Sequence, residues 1–469
     1  MQNYNNQFSF ILNPKSQHWV VLLFLLWWLT MPFQSKLLGI SLGPLTIYPN
    51  LILSLILAPS VLFCYGKLHK YMLALLVFLM GWFIYGLVFG SIQGWNATAV
   101  FDVRNLGLQV LFACVLVGMF GYLGKDRFMS QVRIGLKSML LVFFMAGFIE
   151  FFTGIHFAGD KTLELITLPV GNNFYAPMFI FDNQNTFLTY IIGTHLLLMI
   201  LDRSWRENKW RLGMVWMGIF LFAVYADSNF AKWIVYLNLG YLAFQYGIER
   251  FSKKKLLIGG LLGAMLLLTF YQNTLFYGPL LENSASYRIN TLTLLESDAT
   301  GFNLTPARQK LSKQEQKKVI EYMDSLHKNN PEKSVNVRKQ MILLGAHLIK
   351  EKPFTGVGPG GYATESVNHN KEFHMGTQRT PHNFPLEIIS QYGLIGWIYF
   401  GFLGFIVISI VRASSSFLSF ENGIFFVVLC SLFLIWMMPS SFLLLEIHRL
   451  ILPLFLVVFL IRKSEVNNG

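Results

Sequence analysis

Charge is scarce in this sequence. Only 13% of its 469 residues are Asp, Glu, Lys or Arg, about half the ~25% of an ordinary soluble domain. A chain this poor in charge cannot cover a water-facing surface, so much of it faces lipid. Cysteine is scarcer still. Cys64, Cys114 and Cys430 lie far apart, each inside an apolar run. They read as small buried apolar residues, which excludes a disulfide framework, a CxxC redox pair and a zinc site. The expected outer side lacks HExxH, DxD and any His/Cys cluster, so neither metal nor other cofactor is expected. An inverted repeat of the kind found in many secondary transporters is also missing. So is a cleavable leader. Met1 to Gln17 is polar, with Pro14 and Lys15, and no small-x-small site closes the apolar run that follows. The first helix is expected to be retained.

What is present is apolar: 54% hydrophobic residues, 44 of them Phe, with a mean hydropathy of +0.49. A bilayer-crossing helix needs about 20 mainly apolar residues. Candidate spans cover 17–35, 45–64, 71–90, 104–123, 134–153, 181–201, 212–227, 230–248, 256–272, 385–410, 423–439 and 443–461. The seventh and eighth are separated only by Asp227-Ser228-Asn229, so they are either two spans or one broken helix. The expected fold is an all-α polytopic membrane protein of about twelve transmembrane helices with one long, partly helical loop outside the cytoplasm. Three regions follow: a membrane region over 1–271, the outer loop over 272–384 and a second membrane region over 385–469.

The net charge of +13 would point to nucleic acid in a soluble protein. Here the basic residues sit in alternate short loops: Lys67 and Lys70; Lys125, Arg127 and Arg133; Arg203, Arg206, Lys209 and Arg211; Arg250 and Lys253 to Lys255; Arg412; Arg462 and Lys463. Short basic loops stay cytoplasmic. Both termini are therefore expected inside, and no nucleic-acid partner is expected. The opposite loops, 91–103 and 154–180, are nearly free of Lys and Arg. The stretch from Gln272 to Pro385 falls on their side. Loops beyond roughly 12–15 residues are usually functional or disordered. Within it, Thr305 to Pro331 reads as an amphipathic surface helix and Val335 to Lys350 as a second helix, stopped by Pro353.

The chemistry-bearing residues concentrate beside this loop. Gly356, Gly358 and Gly361 formally satisfy GxGxxG, but that motif needs a preceding strand and a following helix. The sound inference is a tight backbone platform, whose N–H groups could hold an anionic oxygen. His382 lies before a helix expected to start at Pro385, at the water–lipid boundary. From position alone it is either a surface histidine or a general base with a pKa suited to neutral pH; His327, His369 and His374 lie in the same loop. Arg104, Asp227, Lys232, Glu446, His448 and Arg449 fall near the outer ends of spans, and Arg288 and Arg338 in the loop. Each cation there either snorkels to the interface or contributes to a site for a diphosphate, which Arg pairs with in fork geometry.

These pieces resemble the O-antigen ligase/polymerase superfamily, over most of the chain by topology. The resemblance is carried by Arg338 opening the helix that ends in Lys352-Pro353. It is carried also by Pro353-Phe-Thr-Gly-Val-Gly-Pro-Gly-Gly-Tyr362 and by His382-Asn-Phe-Pro-Leu-Glu387 followed by Tyr392-Gly-Leu-Ile-Gly396. Asp182-Asn-Gln-Asn185 is similar to the family's proline-asparagine element without its proline. Lys232, in Ser228-Asn-Phe-Ala-Lys232, stands where the family often has arginine. The resemblance implies a metal-independent inverting glycosyltransferase at the outer face of a bacterial inner membrane. Its partners would be the bilayer, an undecaprenyl-diphosphate-linked oligosaccharide, a glycan or lipid A-core acceptor, and a chain-length regulator and flippase. It also implies His382 as base and Arg288 and Arg338 on the leaving diphosphate. Arg104, Lys232, Asn185, Gly356, Gly358, Asn383 and Glu387 would bind or orient substrate. A repeat-unit polymerase is the expected function. A ligase onto lipid A-core is the alternative, and a twelve-helix polysaccharide flippase a distant one.

The charge bias makes a direct prediction. A phosphatase reporter fused near residue 320 should be active and one fused near residue 207 inactive. The opposite pattern would invert the orientation and move the site to the wrong side.

Overall fold

The computed structural model describes residues 14–32, 40–42, 45–64, 66, 68–153, 155–156, 164–166, 177, 179, 181, 184–226, 228–248, 288–290, 305–306, 333–373, 381, 383–412, 420–437 and 446–467. Helices dominate, and they cover every expected span except 256–272, which lies outside the described residues. Four helices are long and apolar enough to cross a membrane: α4 (Lys70–Gln93), α5 (Ala97–Leu123), α6 (Lys125–Thr153) and α15 (Leu394–Arg412). Shorter apolar helices accompany them, among them α1 (Pro14–Thr30), α7 (Gln184–Leu201) and α16 (Phe420–Met437).

Two expected spans are divided. The run 45–64 becomes α2 (Pro49–Leu57) and α3 (Ser60–Phe63), broken beside Pro59, which has no N–H to give an α-helical bond. The run 385–410 becomes α14 (Phe384–Tyr392) and α15, interrupted at Gly393 with φ 51°. Where one broken helix was possible, the chain forms a pair instead: α9 (Lys209–Tyr225) and α10 (Asn229–Ile248).

α5 is the hub. In its span 61% of residues are buried, against 28% for α4 and for α15, so α5 is wrapped by other helices while α4 and α15 turn wide faces outward. Its close packing uses small residues, as expected where lipid gives no hydrophobic push between helices. A Cβ on Gly118 would stand 2.6 Å from the Val61 backbone nitrogen, so α3 and α5 touch backbone to helix face. The last helix, α17 (Glu446–Asn467), packs against α5, α7 and α15.

The two ends differ in chemistry. At one end Lys137 pairs with Asp202 at 2.6 Å, Arg133 Nε donates to the Leu201 carbonyl and the Arg211 guanidinium lies over Trp205. Lys463 lies over Tyr71, so the basic C-terminal turn of α17 meets the basic start of α4. This gathers the Lys/Arg loops at one face. At the other face, short ribbons join the 154–180 loop to the long loop. Ile155–His156 (β3) pairs antiparallel with Thr305–Pro306 (β6), and Glu164–Ile166 (β4) with Arg288–Asn290 (β5). Two loops read as outer from composition alone are therefore hydrogen-bonded together. Thr305 and Pro306 belong to a strand rather than to the expected amphipathic helix, because a ladder partner at Ile155–His156 outweighs local propensity; the rest of that expected helix lies outside the described residues. The second expected helix is present as α11 (Lys333–Glu351).

Asp202 lies between α7 and the short α8 (Arg203–Glu207). Burial pushes its carboxyl up, but hydrogen bonds from Lys137 and Ser204, the Lys137 charge and the Trp205 N–H outweigh this and hold it below its ordinary value. A depressed folded-state pKa gives stability that is present above the unfolded value and lost as pH falls through the folded one. Asp202→Asn should therefore lower the thermal midpoint at neutral pH. The gap to the wild type should close once the buffer falls below the ordinary carboxylate range of about 4. A gap that persists in acid would remove the ion pair from the explanation.

Candidate functional site

The N-terminal half of α5 carries an unusual stripe. Asp102, Asn105 and Gln109 recur at i, i+3 and i+7, which places them on one helix face, and all three are buried. At 1.5 Å per residue the stripe extends about 10 Å from Asp102 to Gln109. Buried polar residues need partners from neighbouring elements, and Asp102 and Asn105 have them.

Asp102 meets the glycine segment. The segment leaves α11 at Pro353 and runs to α12 (Gly361–Asn368), wedged between α5 and the end of α14. The Gly360 N–H donates to Asp102 Oδ2 at 2.6 Å, the Gly358 N–H to the Gln391 carbonyl at 2.8 Å and the Val357 N–H to the Ser390 carbonyl at 2.9 Å. Gln93 Nε2, at the end of α4, donates to the Val357 carbonyl at 2.8 Å, and Tyr85 donates to the Thr355 carbonyl. The Gln391 side chain also bonds Asp102, and the Glu387 carboxyl lies within electrostatic reach of it. Gly358 and Gly360 have φ 83° and 65°, which side chains with a Cβ rarely adopt. A Cβ on Gly360 would stand 2.5 Å from the Ala99 nitrogen, and one on Gly358 2.3 Å from Gln93 Oε1. The platform expected of this segment is present. Its role as an anion cradle has less to work with, because the N–H groups of Gly356, Val357, Gly358, Gly360 and Gly361 already serve protein acceptors.

Asn105 meets a cation. Arg449 on α17 is 1% exposed, and its Nη2 donates to Asn105 Oδ1 at 2.8 Å. Its neighbour His448 accepts at Nδ1 from Trp436 Nε1 at 3.2 Å and stacks on Phe384, with ring centroids 5.6 Å apart and planes 6° from parallel. Phe384 opens α14, so this stack seats the start of that helix against α16 and α17.

The expected site residues divide accordingly. His382 lies outside the described residues, between Pro381 and Asn383, both buried. Asn383 is the N-cap of α14: its Oδ1 accepts from the Leu386 N–H at 3.0 Å and its Nδ2 donates to Met437 Sδ at 3.6 Å. It thus fixes the helix that follows His382 by satisfying an orphan N–H. Glu387, in the first turn, is buried. Gly356, Gly358, Asn383 and Glu387 are therefore brought into one assembly at the N-terminal end of α5. Arg104 is on α5 two residues beyond Asp102. Its guanidinium lies 4.6 Å from the Phe101 ring centre, and its buried Nε meets no acceptor among the described residues. Asn185 opens α7 with its Oδ1 buried and unpaired among the described residues. Lys232, 1% exposed, sits in the first turn of α10. Arg338 lies on α11, which packs on α14, a Cβ on Gly345 being within 2.6 Å of Leu386. Arg288 lies in β5, opposite Ile166, on the ribbon rather than in the α14 assembly.

Asp102, Asn105 and Gln391 were not among the expected site residues. The i, i+3, i+7 stripe of polar side chains in an otherwise apolar span was the available signal.

Comparison with known proteins adds one finding. Residues 212–401 match the family model described as O-antigen ligase. No curated protein matches the chain.

The close contacts predict a graded response. Gly358→Ala and Gly360→Ala should each lower in vivo glycan transfer about tenfold or more, by forcing the segment off α4 and α5. Gly404→Ala, where an added Cβ meets nothing within 4 Å, should be silent. Equal behaviour of all three, at matched membrane abundance, would detach the segment from function.

Proposed function

We propose that this chain, whose residues 212–401 match the O-antigen ligase family model, is a repeat-unit polymerase of a surface polysaccharide. It works at the outer face of a bacterial inner membrane, with both termini cytoplasmic and residues 272–384 forming the outer loop between membrane regions 1–271 and 385–469. The observation that supports this most is the assembly at the outer end of α5. There the glycine segment and the helix that follows His382, both remote from α5 in sequence, are bonded to it through Asp102 and Gln391, and Gln93 at the end of α4 holds the Val357 carbonyl.

The reaction is an inverting glycosyl transfer. His382 removes the proton from an acceptor sugar hydroxyl. The freed oxygen attacks the anomeric carbon of the donor glycan, and the bond from that carbon to the diphosphate breaks. Undecaprenyl diphosphate leaves with its charge met by Arg288 and Arg338, and by Arg104 or Lys232. Arginine can carry this load because it stays charged and pairs phosphate oxygens two at a time. Asn383 and Glu387 act from the first turn of α14, where the cap and the buried carboxyl set how the helix start is presented. The lipid tail enters laterally between helices. A ligase that transfers the glycan to lipid A-core is the second reading, favoured by the description of the matching family.

Purified protein in detergent, given a lipid-linked repeat unit alone, separates the two readings. A polymerase has donor and acceptor together, so a ladder of products one repeat apart should form, with or without chelator. Transfer only after lipid A-core is added would replace polymerase by ligase. In the same assay His382→Ala should lose about 100-fold or more in rate, within the range of general-base contributions, while His374→Ala should be nearly silent. Full activity of His382→Ala would remove it as the base.

A further inference from the structure

Asp102 is a carboxyl inside an apolar bundle, and nothing in the proposed chemistry uses it. Its surroundings show what it holds. One oxygen takes the Gly360 N–H at 2.6 Å, at the N-cap of α12. The Gln391 amide bonds the same carboxyl, while the Gln391 carbonyl takes the Gly358 N–H. Gln391 therefore ties the last turn of α14 to α5 by its side chain and to the glycine segment by its backbone. α14 is a short helix, Phe384–Tyr392. A clamp on its last turn, together with the Phe384–His448 stack and the Asn383 cap at its start, leaves it little freedom to tilt. On the α5 side, Asp102 is followed by Arg104 and by Asn105, which holds Arg449.

We propose that Asp102 is a positioning residue that fixes the helix following the base against the helix bearing Arg104, by accepting hydrogen bonds from Gly360 and Gln391. The proposal rests on the transferase reading above. Buried donors that lose their acceptor are costly, and preorganised geometry is what transfer chemistry draws on, since small misplacements cost rate rather than affinity. Asp102 touches no reacting atom in this scheme. Its loss should appear in kcat and leave donor KM nearly unchanged.

The test uses full-length protein in detergent with the lipid-linked repeat unit, and with lipid A-core as a second acceptor. Asp102→Ala should lower kcat about 30-fold or more with donor KM within about threefold of the wild type. Asp102→Asn keeps an oxygen for the Gly360 N–H, and a rotated Gln391 amide can accept from the new NH2 group. It should stay within about fivefold of the wild type in kcat. Hydrogen exchange read on the same samples should show residues 356–361 and the end of α14 losing protection in Asp102→Ala and keeping it in Asp102→Asn. A wild-type kcat in Asp102→Ala, or a raised KM at unchanged kcat, overturns the proposal. Equal large losses in both variants overturn it too, because acceptance of hydrogen bonds would then not be the operative property. If Asp102→Ala does not accumulate, Gln391→Leu decides: it keeps the backbone bond to Gly358 and should lose kcat about tenfold at unchanged KM, and full kcat there overturns the proposal. A wild-type protein inactive with both acceptors fails the transferase reading itself. That outcome is distinct, since the exchange pattern would still report the clamp while no rate existed for it to serve.

Discussion

The N-terminal end of α5 depends on one constraint: a backbone segment must lie directly against two helices inside an apolar bundle. Peptide groups buried there have no water to satisfy them, so each N–H and C=O must find a protein partner. The buried Gly356–Tyr362 stretch meets that requirement with carbonyls of Ser390 and Gln391, the amide of Gln93 and the carboxyl of Asp102. Side chains at Gly358 or Gly360 would prevent the approach. The glycines, the buried carboxyl and the break between α14 and α15 are thus parts of one arrangement. At the break, the Leu394 N–H donates to the Phe354 carbonyl at 2.9 Å, so the segment also dictates where α15 begins.

The membrane helices were legible in the sequence because lipid imposes a simple code of length and apolarity, which 71–90 and 134–153 follow closely in α4 and α6. The grouping of the basic loops was legible for a related reason: charge that cannot enter the bilayer gathers in short loops, and Lys137–Asp202 and Lys463–Tyr71 show those loops meeting at one end. The division of 385–410 was half hidden. Gly393, at φ 51°, is a local helix-end signal, but the Phe354 carbonyl that takes the Leu394 N–H at the break is remote in sequence. The role of Asn383 was half legible. It was expected to orient the base or the acceptor, while Asn followed by Phe and a Pro in the first turn is also a helix-start pattern, and its oxygen is spent on that cap.

The candidate site divides in the same way. The glycine segment and His382 stood out because dense glycines and a histidine beside a helix start are visible in the sequence without knowledge of packing. Asp102 and Asn105 did not stand out, because a polar residue near the end of a span reads as the boundary of the membrane. Only their shared face reveals them, and that face matters because α14 and α17 occupy it. Arg104, on the same helix but another face, was selected for its charge. Asp102 and Asn105 each hold a protein partner, Gly360 and Arg449, while Arg104 Nε and Asn105 Nδ2 both meet no partner among the described residues.

The extent of this stripe also bears on what kind of machine the bundle is. A transporter moving a polar glycan needs polar groups along a path through the membrane, repeated in two halves that rock against each other. On α5 the buried polar stripe is confined to the stretch from Asp102 to Gln109, and beyond it Phe112, Ala113, Val115 and Leu116 are buried and apolar, so this helix does not by itself supply such a path. Its C-terminal half serves packing instead, as the direct contact of Gly118 with α3 shows.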